Sequence, residues 1–351
     1  MVIDQVLVLY TEFMPYNLAA FNSLSWITGA TVHVVYWDFR KVSPYVPKEV
    51  AGIKFIPRSA SNHKSLKQLI DLIDPDFIFV SGWRDKLYLR LAFTARLSGI
   101  PVIVGMDNKW ERSFRQILFS IAAKVLHRFF FSGAFVPGKS QYQFARKLGF
   151  TPSQIRTGAY TADTACFWQE RKVPFRKEIL FIGRLTPIKG IDSLVTCFLK
   201  LSEEVKFTDW KLIVVGTGPM QDSLPISPRI QYKGFLNQQE IALLAQEVSF
   251  FCLPSLAEPW GLVVHEMAAA GVPLLLSSAC GSAEDFLVDG YNGYYINPKD
   301  EQGLSSGLGK MMELSNEELV NMGERSRELS TKNSPAIWSH SLMSLAGFKD
   351  I

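Results

Sequence analysis

Cysteine is scarce. Cys166, Cys197, Cys252 and Cys280 are the only four among 351 residues, and no two form a C-x-x-C pair. That scatter offers neither a zinc motif nor a disulfide framework, and it predicts a reducing, cytoplasmic setting. Histidine is equally thin. His33, His63, His127, His265 and His340 have no metal-ligand spacing. A single D-x-D, Asp74-Pro75-Asp76, directly precedes an apolar run, and Pro75 marks it as a turn, so no metal role is expected. No apolar stretch reaches the roughly 20 residues that cross a bilayer. The nearest, 117–131, is interrupted by Lys124, His127 and Arg128. The opening MVIDQVLVLY lacks a basic start and a small-residue cleavage site, so it reads as a buried first strand and not as an export signal.

What is present is ordinary globular composition: 48% apolar and 20% charged residues over a length that suits two domains. The net charge of +4 conceals an asymmetry. Residues 1–155 hold 19 Lys+Arg against 10 Asp+Glu, and residues 156–351 hold 18 against 23, so the halves carry +9 and −5. A basic first half suits anionic lipid, an anionic acceptor or simply a solvated surface. Without a basic-aromatic ladder or a nucleic-acid motif, nucleic acid is not an expected partner.

Short apolar runs alternate with helix-like segments along the whole chain. QVLVLY (5–10), TVHVVY (31–36), DFIFVSG (76–82), PVIVG (101–105) and GAFVPG (133–138) are continuous rather than alternating, as in strands buried on both faces of a parallel sheet. Residues 86–97 and 112–126 read as helices between them. The rhythm restarts with strands at 178–182, 211–215, 248–253 and 273–276 and helices at 191–201, 238–246 and 262–270. The expected organisation is α/β. It comprises a Rossmann-like domain over 1–157, a linker over 158–176, a second such domain over 177–333, and a closing helix within 334–351 that belongs with the first.

The chemistry-bearing patterns cluster in the second half. In FIGRLTPIKG (181–190) a strand ends at Gly183, and Arg184 and Lys189 follow within reach of one diphosphate; two exposed surface cations are the plainer alternative. In LIVVGTGPM (212–220) Gly216 and Gly218 make a tight turn that lets backbone amides approach a phosphate or sugar, or merely ends a strand. PSLAEPWGLVVHEMAAAG (254–271) is the most informative. Gly261 opens a helix whose first amides, with Leu262 and Val263, can meet an anion. Glu258 precedes that helix, and Glu266 follows eight residues later among apolar neighbours, an odd place for a surface carboxylate. YKGFL (232–236), with Gly234 and Phe235, can line a base pocket or be only a strand and its turn.

Together these residues resemble the retaining GT-B glycosyltransferases of family four, most clearly from Glu178 to Asn297. The resemblance implies two facing Rossmann-like domains. It implies transfer of a sugar from a nucleotide diphosphate donor, UDP- or GDP-linked, with retention at the anomeric carbon and with no metal or other cofactor. It assigns Arg184 and Lys189 to the diphosphate, Glu258 to the donor sugar, Glu266 to the ribose and the backbone of 261–263 to the phosphates. A glycan or lipid-linked glycan acceptor in cell-surface polysaccharide assembly is the implied setting. A nucleotide-sugar epimerase of the same fold and a non-catalytic nucleotide-sugar-binding protein are the alternatives.

The first half departs from the pattern. The usual glycine-rich loop after the first strand is replaced by TEFMPYNLAAF (11–21), whose polar groups are Glu12, Tyr16 and Asn17. Where many members carry a histidine, PVIVGMDNKW places Asp107, either to assist the acceptor or to cap the next helix. Asn108 and Lys109 are further acceptor candidates. Residues 109–131 are basic and strongly apolar, which fits either a core helix with a basic outer face or peripheral association with the anionic inner face of the plasma membrane.

Overall fold

A computed structural model describes residues 2–38, 47, 49–169 and 175–348. The chain divides into two compact units, Met1–Thr161 with Asn333–Ile351, and Ala162–Lys332.

The first unit runs β1 (Gln5–Tyr10), α1 (Pro15–Thr28), β2 (Thr31–Tyr36), β3 (Ile53–Pro57), α2 (His63–Ile73), β4 (Phe77–Val80), α3 (Lys86–Leu97), β5 (Val102–Gly105), α4 (Phe114–Phe130), β6 (Gly133–Val136), α5 (Lys139–Lys147) and β7 (Ile155–Thr157). Its seven strands are ordered β3-β2-β1-β4-β5-β6-β7, and all pair in parallel. Val6 to Leu9, Phe77 and Val102 to Val104 are wholly enclosed, because helices cover both faces. The order reverses direction between β1 and β4, and the loops leaving those strands therefore part around a crevice.

The second unit runs α6 (Thr164–Phe167), β8 (Arg176–Ile182), α7 (Ile191–Leu201), β9 (Lys211–Val215), β10 (Ile230–Tyr232), α8 (Gln238–Ala245), β11 (Val248–Leu253), α9 (Leu262–Ala269), β12 (Leu274–Ser277), α10 (Ala283–Phe286), β13 (Gly293–Ile296), α11 (Glu301–Met312) and α12 (Asn316–Ser330). Its parallel sheet is ordered β10-β9-β8-β11-β12-β13, with the reversal between β8 and β11. The chain then returns to the first unit as α13 (Pro335–Ala346). There Trp338 is buried against Phe21, Phe79 and Phe135, and its indole nitrogen donates to the Ala159 carbonyl at 2.9 Å.

The stretch expected as a linker over 158–176 is not uniform. Gly158 to Thr161 stays with the first unit, α6 forms within the second, and residues 170–174 lie outside the described residues. Asp163 caps α6 by accepting from the Cys166 amide. The D-x-D is spent on the backbone. Asp74 ends α2 in the left-handed conformation, and Asp76 accepts from the amides of Asp4 and Gln5. Among the described residues no helix is long and apolar enough to cross a membrane.

Candidate functional site

The second unit gathers its motif residues at the carboxyl ends of β8, β9 and β11. Three close backbone approaches bring them there. A Cβ at Gly216 would sit 2.0 Å from the Gly183 carbonyl oxygen, one at Gly218 2.4 Å from that of Leu185, and one at Gly190 2.4 Å from that of Pro254. Only glycine tolerates such contact, and Gly216 and Gly190 also have positive φ. The Gly216 amide donates to the Gly234 carbonyl at 2.7 Å, which draws the segment 232–236 into the same group. Phe235 is exposed beside it, and Arg184 is exposed just after β8.

Lys189, at the end of a short 3-10 turn, ion-pairs through Nζ with Glu258. The two side chains are 23% and 9% exposed, so the pair is largely withdrawn from water. Glu258 is pinned on its other side by the backbone, where its carbonyl accepts from the Gly281 amide at 3.1 Å. Gly261 then turns the chain with φ of +85° to start α9, and no side chain caps that end, so the first amides of Leu262 and Val263 remain available to an anion. Both of those residues are half-buried.

Glu266 lies one turn further along α9, buried, with Oε1 accepting from Gln238 Nε2 at 3.2 Å. Burial pushes its carboxyl up to about 7, against a smaller opposing pull from the Gln238 hydrogen bond. Gln238 carried no signal in the sequence, since its role depends on α8 lying beside α9. The Ser255 hydroxyl and the Trp260 indole nitrogen are likewise buried near the loop and have no hydrogen-bond partner among the described residues.

The first unit has a cavity of about 520 Å³ at the ends of β1, β4 and β5, where its strand order reverses. Glu12, Tyr16, Asp107 and Asn108 line it, together with Trp83, Arg84 and Tyr160. Asp107 is no helix cap; Ser113 caps α4 by accepting from the Gln116 amide. Instead Asp107 Oδ2 accepts from the Tyr160 hydroxyl at 3.1 Å. The Tyr16 and Tyr160 rings meet edge to face at 5.9 Å. Burial, with Tyr16 and Asp107 adding to it, holds the Tyr160 phenol well above its ordinary value, so it donates across the neutral range. Arg84 ion-pairs with Glu12 at 3.5 Å.

Two candidates do not join this cavity. Asn17 is buried at the third position of α1, where its carboxamide oxygen accepts from the Met14 amide and its nitrogen donates to the Tyr10 hydroxyl. Its side chain is occupied in starting the helix. Lys109 offers its carbonyl to Gln116 Nε2 and is absent from the lining. Tyr160 carries no signal in the sequence, because it falls in a segment without periodicity.

Residues 164–329 match the model of the family described as Glycosyl transferases group 1. The C-terminal unit is a group 1 glycosyltransferase domain. A glycosyltransferase of Methanocaldococcus jannaschii is 31% identical over 161 residues, which is 41% of this chain and 40% of that protein. The chain thus matches less than half the length of this curated relative. Over nearly the whole chain the fold is that of GT-B enzymes. Sucrose-phosphate synthase from Thermosynechococcus elongatus superposes with a TM-score of 0.71 at 15% identity, covering 95% of this chain and 96% of that one. HepE from Anabaena, solved with UDP and glucose, superposes at 0.69 with 16% identity, covering 97% and 98%. The group 1 domain includes every motif residue from Arg184 to Glu266.

Proposed function

We propose that the chain transfers a sugar, with net retention, from a nucleotide diphosphate donor to a glycan or lipid-linked glycan in cell-surface polysaccharide assembly. The observation that carries this reading is the junction of Lys189 with Glu258 immediately before the uncapped start of α9. It brings one cation and one carboxylate together just ahead of a helix start that no side chain caps. Arg184, Lys189 and the amides of 261–263 meet the diphosphate and stabilise the charge that grows on it as the glycosidic bond breaks, a task a metal performs elsewhere. Glu258 orients the sugar and favours the positive charge developing on its ring. Glu266 accepts from the ribose hydroxyls, Gly234 and Phe235 line the base pocket, and the turn at Gly216 and Gly218 lets the backbone approach the donor's phosphate or sugar. The relative solved with UDP and glucose supports a UDP-linked donor.

In the N-terminal unit the cavity offers what a sugar acceptor needs: hydroxyls, carboxylates and aromatic rings. Asp107 is the group to take the acceptor proton, with Tyr160 holding its carboxylate. An epimerase would need no such acceptor pocket, and the cavity favours transfer over that alternative. Incubation with donor alone and with donor plus glycan acceptors tests the choice. Transfer to acceptor with the donor sugar otherwise unchanged is expected; an isomerised sugar nucleotide from donor alone would establish the epimerase instead.

A further inference from the structure

Helix α4 presents its greasy side to water. Phe114, Leu118, Ile121, Val125 and Phe129 recur at intervals of three and four residues and so share one face. All five are exposed, Phe114 to 74% and Ile121 to 60%. The helix is held to the unit on its opposite side, where Ser120 and Ala123 are buried and the His127 ring meets that of Phe150 at a tilt, 4.3 Å between centroids. Soluble helices turn the apolar stripe inward; here it is turned outward. Cations flank it, Lys124 and Arg128 on one edge and Arg115 on the other. From Arg112 to Ala162 the chain has eight Lys or Arg and no Asp or Glu.

An apolar stripe bordered by cations matches the boundary between acyl chains and anionic headgroups, where apolar side chains insert shallowly and cations meet phosphates. The same face of a second copy would set Arg115, Lys124 and Arg128 against their own counterparts, which like-charge repulsion opposes. Another side of α4 adjoins the cavity of the same unit, where Phe119 packs on Trp83, a lining residue, at 5.7 Å between ring centroids. We propose that α4 lies in the interface of an anionic bilayer and seats the N-terminal unit there, so that a sugar carried on a lipid reaches the cavity beside Trp83. The second clause rests on the transfer reading; the first does not.

The test is co-sedimentation of the full chain with vesicles of phosphatidylcholine alone and of phosphatidylcholine with an equal part of phosphatidylglycerol. The expected result is binding to the mixed vesicles that far exceeds binding to the neutral ones and weakens with added salt. Ile121→Glu with Val125→Glu should lower partitioning roughly tenfold or more, and Arg115→Gln with Lys124→Gln and Arg128→Gln should do the same on mixed vesicles. Both variants change exposed positions only, so circular dichroism and the thermal shift with nucleotide diphosphates should match the parent. A failure of the transfer reading would appear in that thermal shift and leave vesicle binding intact. Equal binding to both kinds of vesicle, or variants that bind like the parent, would overturn the proposal. So would a concentration-dependent dimer that Ile121→Glu dissolves in a protein that ignores vesicles.

Discussion

Lys189 and Glu258 stand 69 residues apart in the chain and meet in one ion pair. Such a pair is worth little as a net source of stability, but breaking it is costly, because the surviving charge is left with little water. Lys189→Ala should therefore destabilise the protein by about 3 kcal/mol, and adding Glu258→Gln should recover most of the loss. Urea unfolding of the three variants checks this. Glu258→Gln alone should stay folded and lower turnover about 100-fold, the scale on which removing one group that stabilises transition-state charge acts. Glu266 yields a pH prediction. Its carboxyl titrates near 7 in the fold and near the ordinary value when unfolded, so the folded state holds the proton more tightly. Stability is then greatest below the unfolded value and declines as pH rises to about 7, by up to ~3 kcal/mol. Glu266→Gln should flatten that decline, which denaturation at a series of pH values between 4.5 and 8 would reveal; an unchanged slope would assign the decline to other groups.

At the scale of elements, the loop leaving β9 and the loop entering α9 are shaped by glycine. Gly216→Ala forces a methyl group into the Gly183 carbonyl, with no flexible side chain to yield, and should cost about 3 kcal/mol. Gly261→Ala is subtler. Its Cβ would come within 2.9 Å of Glu258 Cγ, so the expected loss falls more on turnover than on melting temperature, measured side by side. Such elements differ in how far the sequence announces them. The strands 5–10, 31–36, 211–215 and 248–253 coincide with β1, β2, β9 and β11 because uninterrupted apolar runs admit few other structures. β3 and β7 are not announced in this way. The first reads IKFIP, with a lysine and a proline, and the second has only three residues, so neither carries a periodic signal. Arg184, Lys189, Glu258 and Glu266 were legible because each motif is local. Gln238 and Tyr160 were not, since each acquires its role from a distant partner, Glu266 in one case and Asp107 in the other.

Across the whole molecule, charge and fold divide at nearly the same place, apart from the closing α13, which returns to the basic unit. The basic half builds the unit that carries the Asp107 cavity and α4, and the acidic half builds the group 1 domain. An acidic domain that binds a diphosphate must do so through a few placed cations and amides and not through a general positive field. The C-terminal unit is therefore expected to hold a nucleotide diphosphate. A thermal-shift series with UDP, GDP, ADP, CMP and their sugar conjugates, each with and without EDTA, tests it most directly. One diphosphate at 100 times its dissociation constant should stabilise the chain by about 2.7 kcal/mol, with the same rise in EDTA and a smaller one in Lys189→Ala. No rise with any of them at millimolar concentration would contradict the account.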